Sequence, residues 1–95
     1  MKIETFGLRN RYRVFADGKK IMDIYDESNA YRIMLKGGML KPTLADVIDG
    51  GIQMLRQVND PASAVVISVL TTNKAAVLES LYQTVKMQYP QEENS

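Results

Sequence analysis

The pair Asp17-Gly18, flanked by RYRVFA and KKIMDIY, constrains this chain more than any other feature. Asp-Gly readily adopts the turn conformations that join antiparallel strands, and the runs on either side are rich in Tyr, Val, Phe and Ile, so Arg11 to Tyr25 reads as a β-hairpin. Strand side chains alternate with period two, so the length of the loop decides which of them share a face. A two-residue turn would set Val14 opposite Ile21 and Tyr12 opposite Asp23, mixing apolar and charged groups. A three-residue loop, Ala16-Asp17-Gly18 with Gly18 left-handed, instead gathers Tyr12, Val14, Met22 and Ile24 on one apolar face, the expected core side. Arg11, Arg13, Phe15, Ile21, Asp23 and Tyr25 then form the other face, where Arg11 can lie opposite Asp23.

A helix is expected directly after the hairpin. Asp26 is its N-cap, Glu27 sits favourably near the positive end of the dipole, and Ala30, Tyr31, Met34 and Leu35 form a stripe that covers the hairpin before Gly37-Gly38 ends the helix. Lys2 to Phe6 is strand-like enough to add a further strand, with Gly7 to Asn10 as the connection. After a loop bracketed by Gly37-Gly38 and Pro42, Thr43 with Asp46 three residues on marks the start of a second helix. Leu44, Val47, Ile48, Ile52, Leu55 and Val58 keep its period. Gly50-Gly51 interrupts that pattern and is read as one helix with a close backbone contact, the alternative being a break into two short pieces.

Ala64 to Thr72, AVVISVLTT, has two readings. Its β-branched residues favour a buried strand, while Asp60-Pro61 is the cap and first position of a helix that would leave the hairpin as the whole sheet. The last helix starts at Asn73 as cap and runs on Val77, Leu78, Leu81, Tyr82, Val85 and Tyr89, with Pro90 after it. The fold class is therefore α+β: a single compact domain over 1–90, an antiparallel hairpin with one or two further short strands covered by about three helices, and a disordered polar tail at 91–95.

Composition narrows the function classes. With 95 residues, 45% hydrophobic and 24% charged, the chain has room for a single core. Neither a signal peptide nor a run long enough to span a bilayer is evident, and the absence of Cys is compatible with a cytoplasmic setting. There is also no His, which removes the usual general base and, with Cys, the commonest metal ligands. Ser63, Ser68 and Ser80 have no activating base in the local pattern, and Asp46 and Asp49 read as solvated positions on a helix face. If Ala64 to Thr72 is a strand, Thr71-Thr72-Asn73-Lys74 is a strand-to-helix turn able to hold an anion, though simple capping explains it more economically. The expectation is a protein that is not an enzyme, with no metal and no cofactor.

Charge is unevenly placed. Residues 1–41 carry nine Lys/Arg against five Asp/Glu, or +4, and residues 42–95 carry three against six, or −3. The basic hairpin is the best nucleic-acid signal, through Arg9, Arg11, Arg13, Lys19 and Lys20, because a two-stranded ribbon can enter a major groove with its cations on phosphates. In its order of strand, Asp-Gly turn, strand, acidic cap and Ala-Tyr helix, RYRVFADGKKIMDIYDESNAY resembles the arm-type DNA-binding domains of tyrosine integrases and similar ββα modules, over about a quarter of the chain. The resemblance implies DNA binding by the hairpin. It departs from those modules at Asp23, in the middle of the second strand, and in lacking an evident aromatic-rich third strand.

The leading expectation is a different one. Arg11, Arg13, Phe15, Ile21 and Tyr25 combine aromatic groups with Arg as protein-interface anchors do, and six Met residues allow adaptable packing. Small cysteine-free domains of this kind are frequent among phage and mobile-element regulators that block a host assembly. A non-enzymatic, protein-binding regulator or inhibitor, without membrane contact, is thus favoured over a nucleic-acid-binding module. The hairpin edge can also pair with its own copy to give a homodimer.

Overall fold

Strands come first and helices second. The computed structural model describes residues 1–89 and holds, in chain order, β1 (Ile3–Leu8), β2 (Arg11–Ala16) and β3 (Lys19–Tyr25), then α1 (Ala30–Lys36), α2 (Leu40–Val58), α3 (Pro61–Thr72) and α4 (Lys74–Gln88). The strands form one antiparallel sheet in the order β1-β2-β3, and the fold is α+β. Pro90 and the polar tail expected at 91–95 lie outside the described residues.

The hairpin turn is shorter than the expected three-residue loop, yet the same side chains reach the core. Ala16 pairs with Lys19 across Asp17-Gly18, and both turn residues have positive φ, 48° and 83°, as a type I′ turn requires. The register then shifts by one between Val14 and Phe15, leaving Ile21 as an extra residue in β3. That β-bulge restores the pairs Tyr12 with Ile24 and Val14 with Met22. Tyr12 and Val14 are fully buried, and Met22, Ile24 and Ile21 itself pack against the core. A tight turn plus a bulge thus does what a looser loop would have done.

β1 completes the sheet as the further strand. It runs antiparallel to β2 from Ile3 opposite Ala16 to Leu8 opposite Arg11. Its start is tied to the hairpin turn, where the Asp17 N–H donates to the Lys2 carbonyl (2.8 Å) and the Lys2 N–H to Asp17 Oδ1 (2.8 Å).

Asp26 caps α1 from farther away than expected. The helix begins at Ala30, after Asn29 in the left-handed region, so Glu27 precedes the first turn and the side chain of Asn29 makes no cap bond. The buried Asp26 carboxylate reaches forward instead, accepting from the N–H groups of Ala30 and Tyr31 at 2.9 Å each. At the other end, Met39 N–H donates to the Met34 carbonyl and Gly38 N–H to Leu35, with Gly38 at φ 77°. This is a Schellman motif, which needs the left-handed glycine that the sequence supplies.

α2 starts at Leu40, three residues before the expected cap. Pro42 falls inside the first turn, where its missing N–H would have had no intrahelical partner, and Thr43 Oγ1 donates back to the Met39 carbonyl (2.8 Å). The helix runs unbroken through Gly50-Gly51, but the close backbone contact expected there is absent. A Cβ at Gly50 would meet nothing within 4 Å, and one at Gly51 only Met22 Cε at 3.6 Å.

Ala64 to Thr72 belongs to α3, which overturns the strand reading. Asp60 is extended and its Oδ1 accepts from the Ser63 N–H (2.7 Å), with Pro61 at the first helical position. A good cap stabilises by about 1 kcal/mol, and β-branched residues lose only a few tenths each in a helix, so docking against α2 and α4 decides the outcome. Leu70 is fully buried and Val66 and Ile67 pack on the core. The turn Thr71-Thr72-Asn73-Lys74 is consequently a helix-to-helix junction. Asn73 serves the end of α3, its backbone N–H and its Nδ2 both donating to the Val69 carbonyl at 2.9 Å, while Lys74 Nζ bonds Asp49 Oδ1 (2.6 Å).

α4 joins the layers. It packs on β1 and β2 and touches the other three helices, with Val77, Leu81 and Val85 fully buried. Thr5 Oγ1 and Ser80 Oγ lie 2.6 Å apart, and the Tyr12 hydroxyl donates to Gln88 Oε1 (3.3 Å). β1 lies so close that a Cβ on Gly7 would fall 3.0 Å from Thr84 Cγ2 and from Tyr12 Cδ1, and 2.3 Å from Gln88 Nε2. No single helix among the described residues is long and apolar enough to cross a membrane.

Two glycine substitutions test this packing by urea unfolding. Gly50→Ala, in open space within a helix, is expected to stabilise by roughly 0.5–1 kcal/mol. Gly7→Ala is expected to destabilise by about 1–3 kcal/mol, because Thr84 and the buried Tyr12 ring must move.

Candidate interaction face

Residues directly opposite one another in antiparallel strands share a face, so the register fixes what the sheet shows on the side away from α4. Leu8, Arg11 and Tyr25 make the row nearest the Arg9-Asn10 turn. Phe6, Arg13 and Asp23 make the middle row, and Glu4, Phe15 and Lys20 the third. Strand spacing and rise give this grid a footprint of about 10 by 14 Å between Cα atoms.

Four large apolar side chains of the grid stand among its charges, three of them well exposed. Leu8 is 78% exposed, Tyr25 61% and Phe6 57%. Phe6 meets the half-buried Phe15 edge to face, with ring centroids 5.5 Å apart and planes at 77°. A shallow depression of about 360 Å³ opens beside them, lined in part by Phe6, Leu8, Arg13 and Tyr25, with Arg9 at its rim. Tyr25 and Arg9 also border a second depression that reaches Gln88 and Tyr89 at the end of α4.

Asp23 organises the charges. Arg11, expected to face it, is paired across the strands with Tyr25 and reaches Asp23 diagonally, through Nε to Oδ1 (3.0 Å) and Nη2 to Oδ2 (2.7 Å). Lys20 Nζ adds a third bond at 3.2 Å. The Arg11 hydrogen bond, helped by Lys20, holds the Asp23 carboxyl well below the usual carboxylate range and raises the Arg11 guanidinium in turn. Arg13 lies directly opposite Asp23 but gets none of it. Among the described residues the side chains of Arg13, Arg9 and Lys19 form neither ion pair nor hydrogen bond.

The expected partner-binding set therefore divides. Arg11, Arg13, Phe15 and Tyr25 stand together on the grid, whereas the bulge turns Ile21 towards the core. Phe6 and Leu8 belong with them and were not singled out from the sequence. The alternation of Glu4, Phe6 and Leu8 against Ile3, Thr5 and Gly7 was the available signal, once β1 was taken to Leu8 rather than Phe6. The expected nucleic-acid set is dispersed. Arg9 sits in the first turn at φ 61°, a conformation that costs a non-glycine residue about 1–2 kcal/mol, Lys19 and Lys20 are at the far tip, and Arg11 and Lys20 are both spent on Asp23.

Three of the other candidate groups have structural roles, while Asp46 and Ser68 are exposed on helix faces. Asp49 holds Lys74, Ser63 is buried at the start of α3, and Ser80 pairs with Thr5. No group of three or more acidic residues that could hold a metal ion occurs among the described residues.

Asp23 has a measurable signature in the pH dependence of stability. Its folded pKa is depressed, so its contribution is fully present above the ordinary carboxylate value of about 4 and is lost as pH falls towards the lower native value. Thermal melts from pH 7 to pH 2 should show Asp23→Asn less stable than the parent near neutrality, with the gap closing in acid. No family model matches the chain, and no curated protein or solved structure is significantly similar to it, so the use of this face has to be argued from its own residues.

Proposed function

We propose that this chain is a non-catalytic binding module that docks a protein partner on the open sheet face, in the manner of a small regulator or inhibitor. The observation that carries the reading is the grid itself: four apolar side chains, Phe6, Leu8, Phe15 and Tyr25, interleaved with Arg11 and Arg13 on a face that no helix covers. Aromatic groups and Arg are the side chains that dominate protein interfaces, and a contiguous exposed apolar patch marks an interaction site more often than an accident. A pure catalytic reading has less to draw on. The chain has no His or Cys, and neither depression bordering this face is lined by an Asp or Glu.

Nucleic acid is the second reading, favoured by Arg9, Arg13 and Lys19, which have no ion-pair partner among the described residues. It is weaker because Glu4 and Asp23 stand in the same grid and would face the phosphates.

Affinity capture from lysate of the native cells, with and without nuclease treatment, run with the parent and with Phe6→Ser/Tyr25→Ser, tests the proposal. Both sites are exposed, so the double variant should melt within a few degrees of the parent. The parent is expected to retain a protein that the variant loses, with an affinity penalty of at least about 2 kcal/mol, or roughly thirty-fold in Kd. Retention that depends on intact nucleic acid, together with steeply salt-dependent binding of labelled duplex by the parent, would decide for the second reading.

A further inference from the structure

We infer that the partner segment received by this face carries a single carboxylate among apolar residues, and that Arg13 is the group that takes it; this rests on the protein-binding reading above. Arg13 occupies the middle of the middle row, with Phe6 on one side, Asp23 on the other, Phe15 next to it along β2, and Leu8 and Tyr25 at two corners of the grid. It is exposed, and among the described residues its side chain has no ion pair and no hydrogen bond. The carboxylate directly opposite is already bound by Arg11 in a two-point fork and by Lys20. An incoming acid therefore finds a guanidinium that need not be stripped of another partner.

The charge balance argues for one anion. Arg11, Arg13 and Lys20 against Glu4 and Asp23 leave the nine-residue grid at +1. One carboxylate neutralises that, whereas a nucleic-acid strand would bring several phosphates to a surface that also holds two carboxylates. A second copy of this chain fits less well, because a two-fold axis through the grid centre would bring Arg13 against its own image. Arg presents a planar fork that a carboxylate meets with two bonds, and flanking apolar contacts exclude water from such a pair. The footprint of about 14 Å accepts an extended segment of about four or five residues.

The probe is a displayed library of random dodecapeptides, selected in parallel on the immobilised full chain and on its Arg13→Glu variant. Peptides selected by the parent should converge on one Asp or Glu flanked by Leu, Phe or Trp. They should bind Arg13→Glu more than about tenfold more weakly, with Arg13→Lys in between because it lacks the fork. Selection on Arg13→Glu should place Lys or Arg at the same position. Peptides that lose binding with Phe6→Ser/Tyr25→Ser but carry no conserved acid, or bind Arg13→Glu unchanged, would overturn the inference and leave the protein-binding face intact. Selection that enriches nothing dependent on Phe6 and Tyr25 would overturn both. Thermal melts of the Arg13 variants matching the parent exclude misfolding as the cause of a loss.

Discussion

The pairing of β2 with β3 is the constraint on which the remainder of the molecule rests. A type I′ turn at Asp17-Gly18 has the right twist for a tight hairpin, but with regular pairing it would send Asp23 to the core beside Tyr12 and leave Val14 facing Ile21. One extra residue at Ile21 cancels the slip. The bulge gives the core an additional aliphatic group, because Ile21 and Met22 both pack inward, and it interrupts an edge strand that begins with two lysines. Those are the devices by which edge strands avoid pairing with other chains.

Once the even-numbered side of the ribbon is inside, α4 can close over it. Its contacts run from Ser80 on Thr5 to Gln88 on Tyr12, and the absence of a side chain at Gly7 lets the helix settle onto β1. Tyr12 is where these demands meet. Its ring lies 5.8 Å from that of Tyr31 on α1, and burial pushes the hydroxyl pKa upward. All four helices take their places from this one side, so among the described residues no helix covers the outer face of the sheet. Leaving Phe6, Leu8 and Tyr25 in water forgoes a burial worth roughly 1.5–3 kcal/mol for a large apolar side chain.

Much of this was legible from local chemistry. The Asp-Gly turn, the alternation along Tyr12 to Ala16, the glycine stop after α1 and the apolar spacing of α4 are each set by residues close together in the chain, and each is present in the structure. What was not legible depends on distant partners. Nothing in Lys20-Ile21-Met22 marks a bulge; it follows from which residues the core can accept. The β-branched run of α3 would suit a strand as well, and it is helical because Asp60-Pro61 starts a helix there and α2 and α4 receive it. Asp26 reads as an immediate cap, yet its carboxylate bridges forward by four and five residues, a reach visible only when the intervening turn is traced. The site was half legible for the same reason. The β2 residues were assigned to the correct face, whereas Phe6 and Leu8 join it only through the pairing of β1, and Ile21 leaves it only through the bulge.

Asp23 separates the charge the sequence counts from the charge the surface offers. The first forty-one residues are basic by four, which on composition alone points towards phosphate. One carboxylate in the middle of β3 draws Arg11 and Lys20 to itself and leaves Arg13 between them and the aromatic side chains. A surface for polyanions would gain from spreading its cations, and this one concentrates two of them on an internal acid. That same ion-pair cluster fixes Arg11 beside Tyr25, so a partner docking as proposed would meet charges already arranged, with less side-chain freedom to lose. The placement of Asp23, more than the number of arginines, is what favours the proposed protein segment over a nucleic-acid backbone as the occupant of this face.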